Sequence, residues 1–312
     1  MPTDILLPRT PARPAGIGVF GPSGRVDTTR LADATARFLS QGYRVNVAEE
    51  TSATWRYFAG TDPQRLAGLA HVLSADDADV AMAARGGYGL SRLLDGIEWQ
   101  ALRASRKAFV GFSDFTAFNC AAYSRAGLVT LHGPMFTSDF GEGEPDAFMW
   151  QHFEATLYGD EDRETVEGEH RASTGRVEGT LWGGNLSLLA HLAGTQYLPE
   201  ITGGILYVEE IEEQPYAIER MFLQLLHAGV LSRQRALVLG DFRRCDPTNT
   251  SRYAYSLSEV VESLRERLSI PVLEGLPFGH IARKLTLPFG VSAELAIGDG
   301  RYTLTWPGLG QR

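Results

Sequence analysis

The chain has 312 residues, 44% of them hydrophobic and 21% charged; single cores stop growing at about 250 to 300 residues, so two domains are expected. Its net charge of −9 repels phosphate backbones and offers nucleic acid no basic stripe, which leaves a small polar ligand as the expected partner. The two cysteines, Cys120 and Cys245, lack CxxC spacing, and without an HExxH motif or a dense Asp/His cluster the sequence supports no disulfide framework, no metal and no cofactor.

The opening residues, Met1-Pro2-Thr3-Asp4-Ile5-Leu6-Leu7-Pro8, lack the basic segment and apolar run of a secretory signal, and no apolar run approaches the ~20 residues of a membrane span. A cytoplasmic location without a membrane partner is the resulting expectation. A strand is predicted at 16–20, ending in Gly21-Pro22-Ser23-Gly24. Leu31, Ala34, Phe38 and Leu39 then recur at helical spacing up to Gly42, ahead of a second strand at 43–48. Asp62-Pro63 opens the next helix, with Leu66, Leu69, Val72 and Leu73 as its buried stripe, and a third strand follows at 80–84. After Arg85-Gly86-Gly87-Tyr88-Gly89 come a short helix near 90–94, a strand at 108–112, a helix from Asp114 to Arg125 and a strand at 128–131. This alternation predicts a parallel sheet covered by helices over residues 1–140.

Composition turns acidic over 141–175, read as a linker region with one helix near 147–157. Residues 176–312 read as a mixed α/β second domain, with strands near 177–181, 205–209, 236–239 and 271–273. A hairpin closes it, pairing 293–297 with 302–306 around the turn Asp299-Gly300.

Gly16-Ile17-Gly18-Val19-Phe20-Gly21 spells a dinucleotide fingerprint, with Glu49 near the end of the second strand. Its first glycines lie inside the strand and Pro22 interrupts the run into a helix, so a strand-end turn is the better reading.

Gly111-Phe112-Ser113-Asp114-Phe115 is more informative, because a buried strand enters it and a helix leaves it. Such a turn exposes a serine oxygen above the sheet, with backbone N–H groups and the helix dipole aimed at any oxyanion formed there. Serine is also among the commonest helix caps, the competing role for Ser113.

A serine nucleophile needs a base oriented by a third group. His132 and His280 both follow apolar runs and adjoin loops, His280 being the better placed in Phe278-Gly279-His280. Ile205-Leu206-Tyr207-Val208-Glu209-Glu210 ends a strand in two acids that point to opposite faces, one of them available to a cleft. The glycines of 85–89 suit either a second oxyanion donor or a turn needing positive φ.

These motifs in this order resemble the murein tetrapeptide LD-carboxypeptidases, a family of serine peptidases. The matching segments are Phe58-Ala59-Gly60-Thr61, Arg85-Gly86-Gly87-Tyr88-Gly89, Ser91-Arg92-Leu93-Leu94 and Ser113-Asp114-Phe115-Thr116-Ala117. They continue with Gly133-Pro134-Met135, Gly179-Thr180-Leu181-Trp182-Gly183-Gly184-Asn185-Leu186, Glu209 through Pro215 to Glu219-Arg220-Met221, and Phe278-Gly279-His280. The resemblance runs over nearly the whole chain.

It implies an N-terminal glutamine-amidotransferase-like parallel-sheet domain and a C-terminal swivelling β/β/α domain, with the active site between them. It also implies a triad of Ser113, Glu209 and His280, no catalytic role for His132, and a homodimer. The family commonly shows Glu-Asp where this chain has Glu209-Glu210, a conservative change. The implied substrate is a muropeptide tetrapeptide, cut between the L-centre of meso-diaminopimelate and the terminal D-Ala in peptidoglycan recycling. The backbone N–H groups of Asp114 and Gly87 are the candidate oxyanion donors. Arg85 and Lys284 are candidates for the terminal carboxylate, and Trp182 and Asn185 for lining the cleft. Trp182 is otherwise a core aromatic, and Asn185 a cap for the following helix. Competing readings are a microcin C immunity-type peptidase that cleaves peptide-nucleotide conjugates, an α/β-hydrolase esterase, and a non-catalytic muropeptide-binding sensor.

Overall fold

Strands that are apolar at every position cannot face water on either side, and four such segments build the first sheet. In this computed structural model, which describes residues 4–160, 162–167, 174–246, 255–298 and 300–309, β1 (Gly16–Phe20) is buried throughout. It is followed by α1 (Thr28–Ser40), β2 (Arg44–Val47), α2 (Asp62–Ser74) and β3 (Val80–Ala83). Next come α3 (Trp99–Ser105), β4 (Ala108–Gly111), α4 (Phe115–Ala126), β5 (Thr130–His132), α5 (Phe136–Phe140) and α6 (Ala147–Leu157). Residues 90–94, expected as a short helix, form parts of two 3₁₀ turns, Leu90–Arg92 and Leu94–Gly96.

The second half supplies β6 (Asp162–Glu167), β7 (Gly175–Asn185), α7 (Leu186–Leu192), β8 (Ile205–Ile211), α8 (Pro215–His227) and β9 (Ala236–Arg243). It ends with α9 (Leu257–Arg267), β10 (Val272–Leu273), β11 (Leu287–Phe289), β12 (Val291–Gly298) and β13 (Arg301–Trp306). Strands β12 and β13 form the expected hairpin, although Asp299 of its turn lies outside the described residues.

The first sheet has the order β2-β1-β3-β4-β5-β11. All its pairs are parallel except β5–β11, which is antiparallel, Leu287 lying opposite His132. The second has the order β10-β9-β8-β7-β12-β13-β6, parallel from β10 to β7 and antiparallel beyond. Both expected architectural elements, a helix-covered parallel sheet and a mixed sheet, are therefore present. The acidic stretch holds α6 as expected, and also an unexpected strand, β6, at the outer edge of the second sheet. Residues 161 and 168–173 of that stretch lie outside the described set.

Alternate residues of each strand enter opposite cores, as the period of two requires. Phe109 of β4 packs with Leu69, Val72, Leu102 and Phe118, whereas Val110 packs on the other face with Ala34, Phe38 and Phe136. The same two clusters continue into the second sheet, one through Leu206 and Val208, the other through Ile205 and Tyr207. Apolar contact across the join holds the carboxyl end of β4 beside those of β7 and β8, where the site is built. Among the described residues no helix is long and apolar enough to cross a membrane.

Candidate active site

Ser113 sits on the turn between β4 and α4, with φ of +60°. A residue with a Cβ pays roughly 1 to 3 kcal/mol for that conformation, so its neighbours must impose it. Phe112 O accepts from Phe115 N at 3.1 Å and Ser113 O from Thr116 N at 2.9 Å, which tightens the first turn of α4 beneath the serine. The Asp114 side chain points inward, is fully buried, and accepts from Ser23 Oγ at 2.6 Å and Leu90 N at 2.8 Å. Burial pushes its carboxyl above the usual range. Those two bonds fasten the serine turn to the loop after β1 and to the end of the glycine segment 85–89. Gly86 lies over Ser113 so closely that a Cβ there would stand 3.1 Å from Ser113 Cβ.

Glu209 and Glu210 project to opposite faces of β8, as their alternation predicts. Glu210 accepts from Asn185 Nδ2 at 2.8 Å, Ser187 N at 2.8 Å, Ser187 Oγ at 2.7 Å and its neighbour Ile211 N at 2.9 Å, so it secures α7. Glu209 is 0% exposed, and its Oε2 lies 2.7 Å from His280 Nδ1. The β8–β9 register slips between Val208 and Glu210, a bulge of the kind that re-aims side chains beside sites.

His280 is held by backbone rather than by a regular element. Asp241 N on β9 donates to Phe278 O at 2.8 Å. This approach needs Gly240, whose Cβ would otherwise fall 2.2 Å from the same oxygen. The His280 ring packs edge-on against Phe112, with centroids 4.9 Å apart, and its Nε2 lies 3.0 Å from Ser113 Oγ. Three side chains separated by up to 167 positions thus form one hydrogen-bonded line.

The line opens into a cleft of about 730 Å³, whose wall includes Ser113, His280, Gly86, Gly87, Arg85 and Lys284. Tyr57, Met135 and Asp139, which are not among the expected site residues, also line it; the sequence marks them only by proximity to the glycine segment and to Gly133-Pro134-Met135. Lys284 Nζ is held by Asp139 Oδ1 at 2.6 Å and stands 4.8 Å from the Phe112 ring centre.

Two cleft candidates lie elsewhere. Trp182 is fully buried in the core and donates to Gln234 Oε1 at 2.9 Å. Asn185 is buried, with Oδ1 accepting from Leu188 N at 3.2 Å as the cap of α7. Each belongs to a strand packed on both faces, where a large aromatic adds buried area and an amide satisfies a helix end.

His132 is also no part of the line. It is buried among Phe112, Tyr207 and Phe278 and reaches Tyr207 Oη through Nδ1 at 3.2 Å. Burial, reinforced by the charges of His280 and Lys284, pulls it down to about 3. The unfolded chain, with an ordinary histidine near 6.5, therefore binds more protons than the native one as pH falls from about 6.5 toward 3, and stability falls with it. Denaturant titrations at pH 7 and pH 5 should differ by about 2 kcal/mol from this residue, a difference that His132→Asn removes.

Fold and geometry together define the class as an α/β serine peptidase. Family models agree: the LD-carboxypeptidase N-terminal domain matches residues 17–133 and the C-terminal domain residues 178–295. The chain belongs to the LD-carboxypeptidase family and is a serine carboxypeptidase. Crystallised muramoyltetrapeptide carboxypeptidase from Oxalobacter formigenes superposes with a TM-score of 0.87 at 40% identity, over 94% of this chain and 99% of that one. Murein tetrapeptide carboxypeptidase of Pseudomonas aeruginosa is 32% identical, over 89% of this chain and 92% of its own. The microcin C7 self-immunity protein of Escherichia coli is 27% identical, over 93% and 92% respectively.

Proposed function

We propose that this enzyme is an LD-carboxypeptidase acting on murein tetrapeptides in the cytoplasm, releasing the terminal D-Ala from the L-centre of meso-diaminopimelate. The observation that carries the reading is the unbroken line Ser113–His280–Glu209 at the floor of a cleft. The relatives that act on murein tetrapeptides supply the substrate class.

In the proposed reaction, His280 Nε2 takes the Ser113 proton as Oγ attacks the carbonyl carbon of diaminopimelate. Glu209 fixes the tautomer that leaves Nε2 free to accept, and stabilises the imidazolium that forms. The backbone N–H groups of Asp114 and Gly87 receive the oxyanion, each such donor being worth roughly 3 to 4 kcal/mol. His280 then protonates the departing amine, D-Ala leaves, and water activated by the same imidazole frees the acyl group from Ser113. No metal is needed for any step. The family resemblance further implies that the enzyme works as a homodimer.

The test is release of D-Ala from L-Ala-γ-D-Glu-meso-diaminopimelate-D-Ala, with a pentapeptide ending in D-Ala-D-Ala as control. Release from the tetrapeptide alone is expected. Hydrolysis of aminoacyl-nucleotide conjugates in place of the tetrapeptide would move the enzyme to the immunity-type reading; Trp182, sealed in the core, offers a nucleobase no face to stack on.

A further inference from the structure

A second cavity, of about 380 Å³, opens beside the cleft and is bounded by Arg25, Asp27, Arg30, Arg85 and the 137–138 segment. Arg85 and Ser138 belong to the walls of both cavities. Nearby arginines are matched with carboxylates: Arg30 with Glu142 at 2.8 Å, Arg37 with Glu144 at 3.0 Å and Arg92 with Asp62 at 2.7 Å. Arg25 and Arg85 are exposed and, among the described residues, have no carboxylate partner. In a chain with 38 acidic and 29 basic residues, two unmatched guanidinium groups beside a cleft are a local reversal of the overall field.

Arg85 Nη1 donates to Arg25 O at 2.9 Å, which pins its guanidinium at the shared wall and leaves other N–H donors unspent. Asp27 is the one acid on the side cavity's wall, and its Oδ1 is engaged in capping α1 through Thr29 N at 2.9 Å and Arg30 N at 3.1 Å. Elsewhere on the cleft wall Glu142, Glu144 and Glu212 are ion-paired with Arg30, Arg37 and Arg244, and Asp146 Oδ1 accepts from Met149 N as the cap of α6. Lys284, the cleft's other lysine or arginine, is only 4% exposed and already neutralised by Asp139.

We propose that the arginine-lined cavity is a carboxylate subsite, which takes a free carboxylate of the peptide while its scissile bond lies at Ser113. A planar guanidinium suits this because its fork can meet both carboxylate oxygens at once. The proposal rests on the peptidase reading above. It makes Arg25 and Arg85 specificity residues that act in binding and not in bond cleavage.

Calorimetry on the Ser113→Ala chain, which binds without turnover, tests it. Three tetrapeptides, amidated singly at the D-Glu α-carboxylate, the diaminopimelate D-centre carboxylate or the terminal D-Ala carboxylate, identify which group enters. One amidation should weaken binding tenfold or more, and in the Arg25→Ala/Arg85→Ala background that same amidation should cost less than twofold. Arg85→Lys, which keeps the charge and loses the planar fork, should fall between. A series in which no amidation discriminates, or in which the arginine variants weaken every peptide by the same factor, overturns the subsite. D-Ala release by the unmodified chain reports the reaction separately. Release with a flat amide series removes the subsite alone, whereas an arginine-dependent series without release removes the reaction and leaves the subsite.

Discussion

Replacing Ser113 with Ala is expected to lower D-Ala release by roughly 10⁴-fold or more, and His280→Ala by a similar factor. The two losses should not add in the double variant. In the proposed reaction Ser113 Oγ and His280 Nε2, 3.0 Å apart, act as one unit, so removing either already abolishes the proton transfer between them. Glu209→Gln should cost somewhat less, because it leaves the ring in place but favours the wrong tautomer at the 2.7 Å contact with Nδ1. Binding should survive in all three variants, since the cleft remains and no backbone group is lost. Initial rates and calorimetric affinities on the same preparations separate these effects.

The second large effect is expected from Gly184→Ala, which touches no proposed reacting group. Gly184 lies in β7 with φ of +140°, and a Cβ there would fall 2.5 Å from both His132 Cε1 and Thr116 Oγ1. Those two residues belong to the first half of the molecule, while Gly184 pairs with Val208, the neighbour of Glu209, in the second. Asn185 N donates to Thr116 Oγ1 at 3.0 Å across the same contact. A methyl group at 184 therefore wedges apart the elements that carry Ser113 from those that carry Glu209. A displacement of about 1 Å can cost about 10²-fold in rate. Backbone strain and overpacking together should remove about 2 to 4 kcal/mol of stability. Denaturation midpoints and kcat should fall together in Gly184→Ala, whereas Ser113→Ala should lose rate without losing stability.

The first sheet was readable because its central strands are buried on both faces, so 80–83 and 108–111 appear as short, uninterrupted apolar runs between helical patterns. What escaped were segments whose meaning depends on a distant partner. Strand β11 contains Pro288, which normally argues against a strand; here it occupies a sheet edge, where a missing N–H is tolerated. Strand β6 lies in a run of charge that reads as linker, and charge is what an exposed edge strand carries to discourage further pairing.

The site was legible in outline for similar reasons. Alternation placed Glu209 and Glu210 on opposite faces without saying which face met a cleft. Position after an apolar run made both His132 and His280 candidates. Only packing separates them: Phe112 touches both rings, yet His132 is sealed behind it while His280 reaches Ser113. Trp182 illustrates the converse, since glycines beside a tryptophan suggest an open loop, whereas here they let β7 pack closely enough to enclose the indole.

The most direct test of the account is to trap the acyl-enzyme. The native chain would be mixed with the diaminopimelate tetrapeptide, quenched in acid within one turnover, and analysed by intact mass and peptide mapping. A mass gain equal to the tetrapeptide less D-Ala is expected, carried by the peptide that contains Ser113 and absent from Ser113→Ala. D-Ala release in the first turnover without that adduct, or an adduct on any other residue, would contradict it.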